Sequence, residues 1–309
     1  MNITKSSDID KELLAKRKAF TYYYTEMILN KWLSKFNLIG LNYKQARFLL
    51  MKLWSKGSVG FCRPTTYKEM PSDLQEMLGD ESLLIVDYAV ADRYDIYNYP
   101  TKAMAINNRG VSFIPTTPLV IDKEIVIIYA QEHHHAIYDS IKSKIDKIVD
   151  LEMILYACNK IQKSNWAIGI DIEDRVASKG ILKDLYSDNP YIVATFEQLK
   201  EVKSLVSSAP FVSDKFENMI QKNLDEIYTF LGFNNVGVLE KKEHLLDNEI
   251  EANNNVIATN NDNFLDMIEE GLERVNKVFN TTLKVELKNK EINSGMEIEE
   301  DIENDSSRN

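Results

Sequence analysis

The stretch from 207 to 233, "SSAPFVSDKFENMIQKNLDEIYTFLGF", carries the clearest helical pattern of the chain. Its apolar side chains recur every three or four positions, at Phe216, Ile220, Leu224, Ile227 and Leu231. Pro210 precedes the pattern, and Gly232 follows it at the position where a glycine commonly ends a helix. The stretch therefore predicts, within 209–232, an amphipathic helix that starts after Pro210, with about 22 residues and a length of roughly 33 Å.

A second, longer helix is predicted upstream, over 133–163. Apolar residues again recur at steps of three or four, at Ile137, Ile141, Ile145, Ile148, Leu151, Leu155 and Cys158. Between the two helices, the runs "WAIGIDIED" (166–174), "ILKDLY" (181–186) and "PYIVATF" (190–196) predict a compact α/β insert over 164–208. Two long helices around a small insert predict an elongated stalk with the insert at its tip.

The rest of the chain predicts further helices and a sheet. Two helices between 9 and 54 are separated near "NLIGLN" (37–42), where Gly40 and Asn42 interrupt the periodicity. The β-branched runs "LLIVDYAV" (83–90), "VSFI" (111–114) and "EIVIIYA" (124–130) predict strands. An asparagine-rich stretch over 234–263 is expected to be a loop, and a helix over 264–279 and the strand "TLKVELK" (282–288) follow it. The predicted fold class is α+β, mainly helical.

Composition limits the functions that this chain can have. With 309 residues, 44% of them hydrophobic, it can bury a sizeable core. Its formal net charge of −11 argues against a monomer that coats nucleic acid, so any contact with DNA must be local. The two cysteines, Cys62 and Cys158, predict synthesis in a reducing cytoplasm. No window approaches the ~18 apolar residues of a membrane helix, so neither secretion nor membrane contact is expected.

Motifs for catalysis, cofactors and metals are missing from the sequence. The run His133, His134, His135 cannot close around one ion on a helix, because adjacent side chains point about 100° apart. Asp171, Glu173 and Asp174 follow the alternation of one solvent-facing side of a strand. There is no GxxxxGK[ST], GxGxxG or GxSxG motif. The interpretation is a non-enzymatic protein with no cofactor and no metal; a metal-dependent hydrolase that uses the histidine run stays as a remote alternative.

The chain resembles the portal proteins of phi29-like small podophages, also called head–tail connector or upper collar proteins. The segment 207–233, followed by "VGVLEKKEHLLDNEI" (236–250), resembles their second stem helix and the channel loop after it. The runs "GSVGF" (57–61), "EIVIIYA" (124–130) and "LKVELK" (283–288) extend the resemblance more loosely. The elements occur in the same order over nearly the whole chain, which makes the combination specific.

The resemblance implies a portal fold in a dodecameric ring at the capsid vertex. It assigns 1–132 to the wing, 133–163 and 209–232 to the two-helix stem, and 164–208 to the clip. Residues 233–290 would form the channel loop and the return to the wing, and 291–309, rich in acidic residues, would be a disordered tail. Double-stranded DNA would be packaged and ejected through the central channel. Implied partners are a separate packaging ATPase, the lower collar or tail protein, and the major capsid and scaffold proteins.

The resemblance also names candidate DNA contacts. Lys241 and Lys242, a basic pair in an acidic chain, would line the channel, and Lys215 matches a channel-facing lysine of the family. Lys203 is the candidate for another family lysine shortly before it. Relatives carry a strongly basic N-terminal arm that contacts packaging RNA or DNA. Residues 1–18 here mix both signs of charge, which argues against an RNA partner.

A different class of function is also compatible with two long helices. A monomeric or dimeric cytoplasmic adaptor would use the stalk as a coiled-coil hairpin to bind a partner protein. Such a hairpin requires apolar residues at strict heptad positions over three or four repeats. The apolar stripes of this chain do not keep that spacing, which disfavours the adaptor.

Overall fold

A computed structural model describes residues 7–65, 72, 83–107, 113–163, 213–234 and 247–288. Its contacts divide the chain into two compact units. The helical unit comprises Met1–Thr25 and Lys142–Thr229, and the sheet unit comprises Glu26–Ile141 and Phe230–Asn309. The predicted insert over 164–208, the predicted tail over 291–309 and the carboxylates of Asp171, Glu173 and Asp174 lie outside the described residues.

The described residues are mainly helical, with short strands. In chain order the elements are α1 Ser7–Lys35, β1 Phe36–Ile39, α2 Tyr43–Lys56, β2 Ser58–Cys62, β3 Leu84–Val86, β4 Tyr88–Val90, β5 Lys102–Ala105, β6 Leu119–Val120, β7 Ile125–Tyr129, α3 Ile137–Lys163, α4 Ser213–Phe230, α5 Asp247–Phe279 and β8 Lys284–Leu287. None of these helices is long and apolar enough to cross a membrane. The two long helices predicted from the periodicity are α3 and α4; α3 begins four residues later than predicted.

The helical unit is built on the apolar stripes that the sequence shows. Side chains from α1, α3 and α4 are buried there, namely Tyr24, Ile145, Ile148, Val149, Leu151, Ile220, Leu224, Ile227 and Tyr228. Towards the end of α3, Leu155 and Cys158 are only half-buried. A helix with one apolar stripe is stabilised mainly by packing that stripe against other helices. The predicted stripe of α4 is therefore confirmed along most of its length.

Polar contacts join the first half of α1 to α3. Arg17 forms an ion pair with Asp150, with Nη1 and Oδ1 2.6 Å apart, and the Tyr24 hydroxyl donates to Glu152. The Lys16 ammonium lies 3.3 Å from the ring centre of Tyr156. These contacts group residues up to Thr25 with the long helices. The assignment of 1–132 to the wing, implied by the resemblance, stays a prediction.

The sheet unit contains small antiparallel sheets. β2 lies between β3 and β7, and Gly60 pairs with Val86 on one side and Ile127 on the other. All five residues of β7 are buried, as expected for the continuous apolar run "IVIIY". β4, β5 and β6 form a second sheet of three strands, and β1 pairs with β8. The strands predicted in "EIVIIYA" and "TLKVELK" are confirmed.

Several predicted elements differ from the structure. The run "LLIVDYAV" is two strands, β3 and β4, in different sheets, and Asp87 between them accepts a hydrogen bond from Lys52 at 2.6 Å. Residues 36–39, predicted only as the start of the break between two helices, form the strand β1 because they pair with β8. Phe113 and Ile114 lie in a turn and a bend, so the strand predicted in "VSFI" is wrong for its described half.

The largest error is the loop predicted over 234–263. The helix α5 begins at Asp247, well before the predicted start at 264. Ile257 and Phe264 are buried at a spacing of two helical turns and continue into the stripe Ile268, Leu272 and Val275. This packing overrides the weak helix preference of the asparagines around them.

Candidate functional site

The exposed face of α4 carries two lysines in one row. Lys215 and Lys222 are both exposed and stand seven residues apart, so they lie about 10 Å apart along the axis on nearly the same side of the helix. Asn218 and Met219, exposed between them, belong to the same face. The opposite face is the buried stripe of the helical unit. The fold thus directs both ammonium groups to the surface of α4.

One helical turn after Lys222, three lysines surround the carboxylate of Glu226 and form a cationic cluster. Lys144 from α3 forms an ion pair with the exposed Glu226 carboxylate. The hydrogen bond from Lys144, with the positive charges of Lys144, Lys222 and Lys147, lowers the pKa of Glu226. Exposed pairs of this kind add little stability. Three ammonium groups around one carboxylate leave a local excess of positive charge, and such an excess attracts phosphate.

Acidic side chains surround this cluster and confine its positive potential to a small area of the surface. Asp146, Asp214 and Glu217 are exposed on the same two helices, and Asp150 is paired with Arg17. The described part of the helical unit therefore presents a surface of mixed sign. A polyanion would be attracted at the lysine row and repelled beside it, which favours weak and movable contacts.

The structure describes one of the four lysines that the sequence singled out. Lys215 is exposed at the start of α4, as expected for a surface contact. Lys203, Lys241 and Lys242 lie outside the described residues. Lys222 was missed, although its spacing of seven residues from Lys215 on an amphipathic helix is a signal that could have found it.

The histidine run lies before α3. His134 has a φ of 62° and stacks on Tyr129, with ring centroids 3.7 Å apart, while the amide of His135 donates to Nδ1 of His133. Burial and the charges of His133 and Arg274 lower the pKa of His134. Within the described ranges, no three His, Cys, Asp or Glu side chains form a group that could hold a metal ion.

A cleft of about 830 Å³ in the sheet unit contains His134 and Arg274. The Arg274 guanidinium pairs with Asp122 at 3.0 Å and donates to the carbonyl of Ile127 at 2.8 Å. Both bonds join α5 to the end of the second sheet and to β7. The arginine therefore serves the packing of α5 on the sheet.

Comparison with known families covers nearly the whole chain. The family described as "Phage Connector (GP10)" matches residues 5–292. The chain belongs to this family. It is a connector, or portal, protein of a bacteriophage, a structural component of the virion at the capsid vertex. The resemblance to phage connector proteins is thus confirmed, and the narrower likeness to the phi29-like group stays a prediction. The adaptor alternative is not favoured.

A solved structure gives a comparison for the fold of this connector. A chain in the structure titled "Portal and tail of native bacteriophage P68" is 13% identical to it, and the match covers 95% of both chains with a TM-score of 0.46. The family match over residues 5–292, together with the elements described above, confirms the predicted fold class, α+β and mainly helical with a portal fold.

Proposed function

We propose that this connector assembles into a dodecameric ring whose central channel passes double-stranded DNA during packaging and ejection. The observation that carries the proposal is the family match over residues 5–292. The two helices α3 and α4 would form the stem that lines the channel. The boundaries proposed from the resemblance complete this assignment, with the wing over 1–132, the clip over 164–208, and the channel loop and wing return over 233–290.

In such a ring, the lysine row of α4 would touch passing phosphates. Lys215 and Lys222 are exposed on one face, and each repeats around the ring. Lys241 and Lys242, with Lys203, would add further cationic positions from segments that the sequence places next to the stem. Exposed acidic side chains beside these lysines, among them Asp214 and Glu217, would make the neighbouring wall repel DNA. Weak attraction to a few rings of lysines, separated by surface that repels DNA, would let the DNA slide through the channel without being trapped.

The proposed partners follow from this role. A separate packaging ATPase would supply the energy, and the clip would contact first that motor and later the lower collar or tail protein. The wing would meet the major capsid and scaffold proteins, after synthesis in the host cytoplasm. The mixed charge of residues 1–18 disfavours a packaging RNA as a partner.

The ring is tested first by the native mass of the purified protein. Light scattering after size exclusion, at moderate and high salt, is expected to give the mass of a dodecamer of the 35.6 kDa chain at both salts. A monomer or dimer that does not assemble at any salt or with capsid partners would contradict the proposal. That outcome would favour the adaptor.

The channel role of the basic pair is tested by Lys241→Ala/Lys242→Ala. The variant is expected to form rings of unchanged mass and to retain less DNA in filled capsids, by roughly tenfold, because phosphate contacts are lost at every subunit. The measurement is DNA protected from nuclease after packaging, followed against salt concentration. The salt dependence of retention should also become shallower.

A matched control removes the same charge elsewhere. Lys123→Ala/Lys284→Ala neutralises two exposed lysines of the sheet unit and is expected to leave retention unchanged. The variant Lys215→Ala/Lys222→Ala tests the row on α4 in the same assay. Equal loss of retention in the control would show that net charge, and not the channel, is responsible. Loss of the ring in the Lys241→Ala/Lys242→Ala variant would contradict the assignment of this pair to a channel loop.

A further inference from the structure

Lys35, the last residue of α1, is a buried lysine. It is only 5% exposed, and its Nζ donates a hydrogen bond of 2.6 Å to the carbonyl of Leu231. Leu231 directly follows the last residue of α4, where helix carbonyls have no partner within the helix. The lysine therefore supplies a donor to the C-terminal end of α4, where a positive charge is also favoured by the helix dipole.

The surroundings of this ammonium are aromatic. The ring centroids of Phe264, Phe36, Trp32 and Phe233 lie 4.7, 5.1, 5.7 and 5.7 Å from Nζ. Ring faces attract a cation at these distances, but they replace little of the hydration that burial removes. Burying a lysine among aromatic rings lowers the stability of the folded state unless the ammonium keeps a hydrogen bond, here to the carbonyl of Leu231. The site holds the ammonium at one defined point.

The backbone at Gly232, next to the Lys35 ammonium, is tightly packed against its neighbours. Gly232 has a φ of +73°, and a Cβ added there would lie 2.2 Å from Oδ1 of Asn261 in α5 and 3.0 Å from Nζ of Lys35. The backbone leaving α4 thus passes between the end of α1 and the side of α5. Residues 231–234 are the last described residues before 235–246, the segment that contains Lys241 and Lys242.

We propose that Lys35 is a positioning residue that fixes the point where the chain leaves α4, and so fixes the start of the segment carrying Lys241 and Lys242. The anchor itself stands on the contacts of Lys35. Its importance for DNA rests on the proposed function. Without the hydrogen bond to Leu231, residues 231–234 lose one of the contacts that tie them to α1, while the core of the sheet unit keeps its packing.

Hydrogen–deuterium exchange on assembled Lys35→Met tests the anchor. Methionine keeps the length of the side chain and removes the donor. Amides in peptides covering 229–234 are expected to exchange at least about tenfold faster than in the native protein, whereas β7 keeps its protection. The matched control is Lys44→Met, which removes the same charge at an exposed position of α2. It is expected to leave exchange unchanged.

Two outcomes would overturn the anchor: unchanged exchange at 229–234, or an equal increase in β7, which would make Lys35 an ordinary core residue. If Lys35→Met does not fold, Gly232→Ala displaces the same point with Lys35 in place and is expected to give the same local increase. DNA retention is measured on the same variants. Faster exchange without any loss of retention in either Lys35→Met or Lys241→Ala/Lys242→Ala would support the anchor and refute the channel role.

Discussion

Replacing Gly57 by alanine is expected to abolish folding of the sheet unit or to lower its thermal midpoint by at least about 10 °C. Gly57 ends α2 with a φ of 74°, its amide donates to Leu53, and its carbonyl accepts from Ala130 at 2.8 Å. A Cβ at this position would lie 2.3 Å from the carbonyl oxygen of His135 and 2.7 Å from the amide nitrogen of Ala136. Both neighbours are backbone atoms just before α3, which cannot rotate away as a side chain can.

Two effects destabilise the Gly57→Ala variant, and their free-energy costs add. The left-handed conformation costs a residue with a Cβ about 1–2 kcal/mol. The overlap with backbone must be relieved by moving the start of α3 or the end of α2, which breaks the hydrogen bonds that Gly57 makes. The sum is several times the cost of an ordinary surface change.

Gly57→Asn separates the two terms. Asparagine tolerates the left-handed conformation better than alanine but carries the same Cβ. If the overlap dominates, as we expect, the asparagine variant is destabilised almost as strongly as the alanine variant. Thermal unfolding followed by near-ultraviolet circular dichroism provides the midpoints, with the exposed Ser55→Ala of α2 as the neutral control. An alanine variant with an unchanged midpoint would contradict the tight approach of residues 135–136.

The long helices could be predicted from sequence because their information is local. The stripes of α3 and α4 repeat every three or four residues and end at recognisable signals such as Gly232. The strand β7 could be predicted for the same reason, since five consecutive apolar residues fit a strand buried on both faces. Such elements need no knowledge of their neighbours.

The elements that were missed depend on distant partners. The residues of β1 become a strand only by pairing with β8, which is more than 200 positions away in the chain. The first turns of α5 contain four asparagines over 253–260 and become helical because Ile257 is buried. The split at Asp87 reflects its contacts with Lys52 and Lys56 of α2. Periodicity in a short window carries none of this information.

The residues of the candidate site also differ in how far a short sequence window could reveal them. Lys215 was found through family resemblance, and Lys222 could have been found through helical spacing. Lys35 has no such signal, because in "WLSKFNL" it reads as an ordinary polar residue at the end of a helix. Its burial comes from Leu231, Phe233 and Phe264, which are 196 or more positions away.

The buried position of Lys35 is expected to make the protein more stable at pH 9 than at pH 7. Burial lowers the pKa of Lys35 to about 7, compared with about 10.4 for a lysine in an unfolded chain. Between these values the unfolded state binds a proton that the folded state does not, so stability rises with pH. Below about pH 7 both states are protonated and the full cost of burying the charge is present. The neutral amine still donates to Leu231.

Other buried groups limit the pH range over which the effect of Lys35 can be measured alone. Burial raises the pKa of Cys62 to about 12 and raises that of Tyr129 as well. For such acids the folded state keeps a proton that the unfolded state loses, so their effect opposes that of Lys35 above about pH 9. The ammonium of Lys35 is surrounded by aromatic rings from α1, β1, α5 and the residues after α4, namely Trp32, Phe36, Phe264 and Phe233. The amide of Asn261 in α5 lies beside Gly232, and the charged Lys31 contacts Phe233.

Thermal midpoints of the full chain at one protein concentration, at about pH 7, 8 and 9, measure this effect. Lys35 should contribute about 2 kcal/mol between the two extremes, or roughly 4–8 °C in the midpoint. In Lys35→Met the rise should disappear, and the variant should match or exceed the native midpoint at pH 7, because no charge is buried. Lys31→Met should keep the rise. A rise that persists in Lys35→Met would show that another group titrates, and a flat native profile would show that Lys35 keeps an ordinary proton affinity despite its burial.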